Sequence, residues 1–359
     1  MKNFELNNFR NKPICDVHYH PHERNSLEDT IKYYEKSLDY FGVSKFAVQC
    51  LPSYCTINNY EGLYLKTVFP NAYVNVGLLH HFDDRDTPEY YEQQAKTLYE
   101  MGCDGFKMLE GKPDYHKELG RPLDHPSFDK FYGFIEEKGL PLLLHYGDPR
   151  EFWDIEKIPK WALERGWLYD QSFTHFDEGQ KEIERVLEKF PKLHLVLAHF
   201  FFVSDDYDYA VNLLEKWENV CLDITPGMEM FFNFDKDSRW RDFFIKYADR
   251  IVYGTETYNW KPDGRTYEDQ YGHAVNMIRA FLERKEPYVD AWSGRTFEHP
   301  FNLPDEVLDK IYCENFARLY GEKPRELNKK LLKKTCKETR RYSVDETGRE
   351  NLEYIVERV

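Results

Sequence analysis

The run Ile14-Cys15-Asp16-Val17-His18-Tyr19-His20 places two histidines one residue apart at the end of an apolar stretch. In a β-strand, side chains at i and i+2 share a face. His18 and His20 are therefore expected to converge, with Val17 and Tyr19 packed on the opposite side. Two imidazoles delivered together at a strand end make half a site for a transition metal such as zinc. By itself a His-x-His pair is a weak motif. Its weight comes from the polar residues at the ends of the later apolar segments: Gln49, His80 and His81, Lys107, His145, His199, Asp223 and Glu256. If those ends share one rim, His18, His20 and His145 with Glu256 supply three nitrogens and one oxygen to a single divalent ion. A water then completes an open, catalytic shell.

The elements that must position these residues are eight short apolar segments, each followed by a polar, helix-like stretch. The segments are Ile14–His20, 45–52, 72–80, 103–109, 141–148, 194–200, 220–227 and 250–257. Strands apolar almost throughout, separated by helices, suit a parallel sheet covered on its outer face. Helices are expected over 26–41, 56–69, Pro88–Met101, 126–138, 178–190, 205–217, 238–248 and 304–320. Ser26 with Asp29 and the terminal Gly42 cap the first, and Pro88 starts another at a favoured position. Strict alternation predicts a (β/α)8 TIM barrel over residues 1–321, with a charged helical tail at 322–359 packed on or near it. The doubly wound alternative lacks a Gly-x-Gly-x-x-Gly after the first strand. Long loops follow the fifth strand (149–176) and the eighth (258–299), on the side where a barrel carries its active site.

Composition narrows the class. With 41% hydrophobic and 17% aromatic residues, the 359-residue chain can fill a large core. A net charge of −15 argues against general affinity for nucleic acid or anionic membrane. The N-terminus has no signal-peptide h-region, and no apolar run reaches the ~20 residues of a membrane helix. Seven scattered cysteines read as reduced thiols in a cytoplasmic protein rather than a disulfide frame.

With these residues in view, the chain resembles the amidohydrolase superfamily, in its amidohydrolase-related branch of aminocarboxymuconate-semialdehyde decarboxylase-like enzymes. The resemblance rests on Asp16-Val17-His18-Tyr19-His20, Leu144-His145, Leu197-Ala198-His199, Gly254-Thr255-Glu256 and Glu314-Asn315-Phe316-Ala317-Arg318-Leu319-Tyr320-Gly321. It implies that His18, His20 and His145 bind the metal, that His199 stands beside the bound water or the substrate, and that Glu256 fills the acid position of the eighth strand. The family's pattern has aspartate where this chain has Glu256. The extra methylene moves the carboxylate by about one bond length, whereas ligand distances tolerate only about 0.2 Å.

The implied activity is metal-dependent hydrolysis of an amide, lactone or ester bond in a small organic substrate, carboxylated substrates included. Glu256 would accept the water proton and pass it to the leaving group, while His199 polarises the carbonyl or orients the water. A non-oxidative decarboxylase on the same scaffold is the alternative, and a non-catalytic small-ligand-binding barrel a further one. Zinc is the expected ion, with manganese or iron as alternatives, and a homodimer or larger homo-oligomer is implied.

Around this core, Lys107 would grip a substrate carboxylate, bridge two metals as a carbamate, or serve as a plain ion-pairing lysine. Asp223 would support a metal-bound histidine or cap the local backbone. Arg150 would bind an anionic substrate group. His22, His80 and His81 are candidates for the pocket lining, and the aromatic run 228–234 for packing or pocket wall. Ser/His/Asp catalysis has no Gly-x-Ser-x-Gly elbow to support it.

Overall fold

The computed structural model describes residues 9–21, 25–226, 228–258, 267–290, 293–342 and 345–359. His22, Gly227 and part of the expected loop 258–299 lie outside these residues. Parallel strands β1 (Ile14–His20), β2 (Val43–Gln49), β3 (Ala72–Val76), β4 (Gly105–Gly111), β5 (Leu142–Tyr146), β6 (Leu195–Leu197) and β7 (Val220–Asp223) pair in sequence order. The eighth strand is split. Its first half, β8 (Ile251–Val252), pairs with β7, and its second half, β9 (Thr257–Tyr258), pairs with β1. Between them these two pieces bring the sheet round to a nearly closed (β/α)8 barrel.

The barrel has two apolar layers. Cys15, Val17, Ala47, Leu143, Val196 and Cys221 fill its interior, and Phe316, Leu319 and Tyr320 close the end where the strands begin. Tyr19, Phe46, Phe106 and Leu142 pack outward against the helices. Val17 is thus inside, not opposite the histidines as strict alternation predicts. The β1–β2 register shifts between Asp16 (opposite Phe46) and Tyr19 (opposite Val48), so β1 carries an extra residue there. A bulge of this kind resets the alternation. Tyr19 still packs outward, as expected.

Helix boundaries follow the caps. Ser26 Oγ accepts from the Asp29 N–H and Gly42 takes φ 67°, which bounds Leu27–Phe41. Thr87 caps Pro88–Met101 in the same way. The expected helix 304–320 is instead Asp305–Asp309, a π-helical turn Lys310–Glu314 and Asn315–Tyr320. That π turn packs on β1 and carries Cys313 to Cys15, with which it forms a disulfide. The expectation of seven reduced thiols is therefore corrected for this pair. Their separation of 298 residues hides the contact from any local reading. The other cysteines remain thiols.

Beyond the barrel, helices Lys329–Thr339 and Glu346–Arg358 bury Leu332, Cys336, Leu352 and Ile355 against it. Asn351 accepts from the Leu27 N–H at 2.9 Å and donates to Glu61 at 2.7 Å, joining the tail to the first two helices. Among the described residues no helix is long and apolar enough to cross a membrane.

Candidate metal and active site

The strand ends gather His18, His20, His145, His199, Lys107 and Asp223 in buried positions. The hydrogen-bond partners of the imidazoles decide which nitrogen of each ring is free. A carbonyl oxygen only accepts, so His20, whose Nδ1 lies 2.7 Å from the Gln49 carbonyl, carries its proton there and leaves Nε2 open. His18 Nδ1 faces Asp223 Oδ2 at 2.9 Å and Thr225 Oγ1 at 3.0 Å, which leaves Nε2 facing Lys107 Nζ alone. His199 Nδ1 donates to the Thr225 carbonyl at 3.3 Å, and its buried Nε2 has no hydrogen-bond partner. His145 is reversed, because its Nε2 faces the Gly147 carbonyl at 3.1 Å and Nδ1 is left.

All four rings stay neutral. Burial is the largest cause, and it holds His18, His20 and His145 well below the ordinary imidazole range and His199 at about 4. Lys107 adds repulsion to each. Neutral imidazole is the protonation state that ligates metals. The ligand atoms of His18, His199 and Glu256 all lie within 4.8 Å of one another. His20 is a ring neighbour of His18 (centroids 4.9 Å apart) and His145 of His199 (4.8 Å), but neither joins that trio. Tautomers fixed by second partners, an orphaned buried nitrogen and a nearby carboxylate fit a divalent ion of borderline softness.

Two of these residues have unusual backbones. His199, Phe200, Phe201 and Phe202 take φ values of 55°, 54°, 57° and 51°, and Glu256 takes 56°. Such a conformation costs about 1–2 kcal/mol for each non-glycine residue, so other contacts must hold it. Asp223 Oδ1 accepts the His199 N–H at 2.7 Å, and the ring of Phe200 stacks among Phe234, Trp240 and Phe244. The turn ends β6 at Leu197 rather than at residue 200 and swings His199 into the cavity.

Lys107 Nζ lies 3.4 Å from His18 Nε2, and the residue is 2% exposed. Burial lowers it to about 8, against the pull of Asp223, Glu256 and Glu110. Glu256 is less enclosed, with 38% of its side chain open to the cavity, and its Oε1 lies 3.7 Å from His199 Nε2. Removal from bulk water raises it to about 7, opposed by Lys107. Beneath the site Asp16 accepts from the His18 N–H (2.8 Å) and Thr255 Oγ1 (2.6 Å), tying β1 to the segment that carries Glu256.

A cavity of about 860 Å³ opens above these groups. Its walls come from the loop after β5 (Phe152, Trp161, Trp167) and from Phe232 on helix Met228–Lys236. The expected wall after the fifth strand is thereby realised; of the described part of the loop after the eighth, Arg295 lines the cavity, and Phe231 and Phe234 of the aromatic run pack into the core. Arg150 lies outside this cavity but borders a small recess with His199, Glu151 and Glu229. Its guanidinium is engaged by Asp177 at 2.6 Å and Asp205 at 3.9 Å. His80 is held between Glu110 and Tyr91, and His81 lies against the Tyr90 ring, so neither lines the cavity. The charged residues that sequence reasoning passed over include Lys112, Glu151, Glu229 and Arg295, which line the cavity from loops and a helix where no strand-end rule applies.

Imidazoles and carboxylates gathered at the strand C-termini of a barrel are the donor set that metal-dependent TIM-barrel enzymes use. The amidohydrolase family model matches residues 67–321, and the chain belongs to that family of metal-dependent enzymes. No curated protein matches the sequence. Solved structures share the fold at low identity. An uncharacterised TIM-barrel protein from Bordetella bronchiseptica is 13% identical, with a TM-score of 0.53 over 86% of this chain and 98% of its own. A dihydroxybenzoic acid decarboxylase from Polaromonas, with bound manganese and an inhibitor, is 14% identical with a TM-score of 0.50, covering 86% and 97%. A probable 2-pyrone-4,6-dicarboxylic acid hydrolase from Acinetobacter baumannii, with citric acid bound, is 13% identical with a TM-score of 0.50, covering 86% and 99%.

Proposed function

We propose that this protein is a metal-dependent hydrolase that cleaves an amide, lactone or ester bond of a small organic substrate, carboxylated substrates included. The observation that carries the reading is the convergence of open imidazole nitrogens and the Glu256 carboxylate at the floor of one large cavity. In this reading His18, His20, His145 and Glu256 hold one divalent ion, zinc in first place and manganese or iron as alternatives. His199 stands beside the substrate and is the competing ligand, because it belongs to the tight trio. When bound, such an ion supplies Lewis acidity for activating water and holding substrate oxygens.

The protein's own groups do the rest. Glu256 takes a proton from the attacking water and returns it to the leaving group. His199, neutral with its proton on Nδ1, offers a lone pair that orients the water rather than a hydrogen bond to the carbonyl. Lys107 meets the carboxylate or developing oxyanion of the substrate.

A second reading is non-oxidative decarboxylation with the same residues, supported by the Polaromonas neighbour, a dihydroxybenzoic acid decarboxylase. There Glu256 would deliver the proton to carbon as carbon dioxide leaves. One experiment tests both: metal content of the purified protein by plasma mass spectrometry, followed by a panel of amides, lactones, esters and aryl carboxylates. About one equivalent of metal with acid or amine release supports hydrolysis. Carbon dioxide release selects the second reading. No bound metal after reconstitution, with no turnover, overturns both.

A further inference from the structure

Four carboxylates line the cavity, and two form no ion pair among the described residues. Glu256 shares its end with Lys107, and Asp148 is bonded to Lys112 Nζ (2.8 Å) and Tyr169 Oη (2.5 Å). Glu151, on the turn after β5, and Glu229, on helix Met228–Lys236, form no ion pair among the described residues. The neighbouring cations, Arg150 and Arg295, form an ion pair with neither acid. Arg150, which borders the recess beside Glu151 and Glu229, is turned to Asp177 and Asp205, and Arg295, which lines the cavity, lies against the ring of Phe232 at 4.5 Å. Burial, with repulsion from Glu151 and Asp148 added, pushes the Glu229 carboxyl up to about 7.

Glu151 and Glu229 also border a small recess with His199, whose buried Nε2 is unpartnered. The two acids are therefore contiguous with the reacting end of the cavity. Close to them the wall is aromatic, with Phe152, Trp161, Trp167 and Phe232. Uncompensated carboxylates in an apolar cavity are costly, and aromatic faces attract cations. Each property favours the same kind of ligand group.

We propose that the substrate carries a basic nitrogen, seated as a cation between Glu151 and Glu229, on an apolar or aromatic body that fills the ring-lined wall. The inference rests on the cavity being the substrate site of the proposed hydrolase. It adds a specificity pair, Glu151 and Glu229, which would select cationic substrates over neutral and anionic ones of equal size.

The test is calorimetric binding of phenylbutylammonium, phenylbutanol and phenylbutyrate to the full-length, metal-loaded protein. At about pH 8 the ammonium is expected to bind at least about tenfold tighter than the alcohol, with the carboxylate weakest. Glu229→Gln and Glu151→Gln should each cut the ammonium-to-alcohol ratio to about threefold or less. Equal affinity for the three probes in the unaltered protein, or tightest binding of phenylbutyrate, overturns the proposal without recourse to any variant. Turnover enters neither arm. A protein that prefers the ammonium but hydrolyses nothing counts against the hydrolase reading alone. One that turns over esters yet ignores the ammonium counts against this inference alone.

Discussion

Asp223 joins two functional side chains: its Oδ2 lies 2.9 Å from His18 Nδ1, while its Oδ1 accepts the His199 N–H at 2.7 Å. One fully buried carboxylate thus sets the tautomer of His18 and fastens the left-handed turn that begins at His199. An amide in its place presents one acceptor and one donor to two donors. Asp223→Asn is therefore expected to weaken metal affinity about 10–100-fold, measured by competition with a coloured chelator. Unchanged affinity would show that neither ring needs this carboxylate to present its free nitrogen.

The ligand assignment is tested at His18, His145 and His199. His18→Ala and His145→Ala should each leave less than about a tenth of an equivalent of metal per chain, because structured sites tolerate little loss of ligand. Their far-ultraviolet circular dichroism should match that of the unaltered protein. His199→Ala should keep its metal and lose turnover. Metal loss in His199→Ala with retention in His145→Ala would move the third nitrogen to His199, as the 4.8 Å trio already suggests.

Glu256→Asp is the sharper substitution. Glu256 has φ 56°, a region in which aspartate is several-fold better tolerated than most residues. The shorter side chain also restores the acid found in the family's pattern. Metal content and kcat/KM are expected to equal or exceed those of the unaltered protein. A fall of about a hundredfold or more in kcat/KM would mean that the pocket is built around the longer carboxylate.

Why the fold was readable and the site only partly so follows from particular residues. The strands repeat a signal, and the caps at Ser26 and Gly42 and at Thr87 and Gly102 are local, so the barrel and its helix limits follow from short stretches. The polar strand ends share one rim by topology, which brings His18, Lys107, His145 and Asp223 together in space. What failed was non-local or irregular. The bulge that turns Val17 inward depends on β2 as much as on β1. The Phe200 turn has no glycine to announce its positive φ, and it is held by Asp223 and by aromatic packing from Trp240 and Phe244. Arg150 looked like an anion clamp because the aspartates that engage it lie 27 and 55 positions away. The Cys15–Cys313 pairing needed the π turn to bring its two ends together.

Asp16 gives a prediction in pH. Burial raises its carboxyl to about 7, against hydrogen bonds from Thr255 and the His18 N–H. An acid whose folded pKa exceeds its unfolded value binds its proton more tightly in the fold. That stabilisation is present at low pH and is lost as pH rises from about 4 through 7. Asn at position 16 stays neutral throughout. The Tm of Asp16→Asn relative to the unaltered protein, both chelator-treated, is expected to rise by at least about 3 °C between roughly pH 5 and 8. A flat or falling difference would place the carboxylate in a more polar setting than its burial indicates.

Lys107 decides how the centre handles charge. Its Nζ lies 3.4 Å from His18 Nε2, and burial has already lowered it to about 8. An ammonium there repels a divalent ion and attracts a substrate carboxylate, whereas a carbamate would recruit a second ion. The single-ion reading expects one equivalent of metal in both the unaltered protein and Lys107→Met. In that variant KM should rise by about tenfold or more for a carboxylated substrate and change little for its uncharged analogue, because a buried charge pair is lost only in the first case. Two equivalents falling to one on Lys107→Met would instead make Lys107 a bridging carbamate. The same measurement on the intact protein under added bicarbonate would then show the second ion bound at higher occupancy.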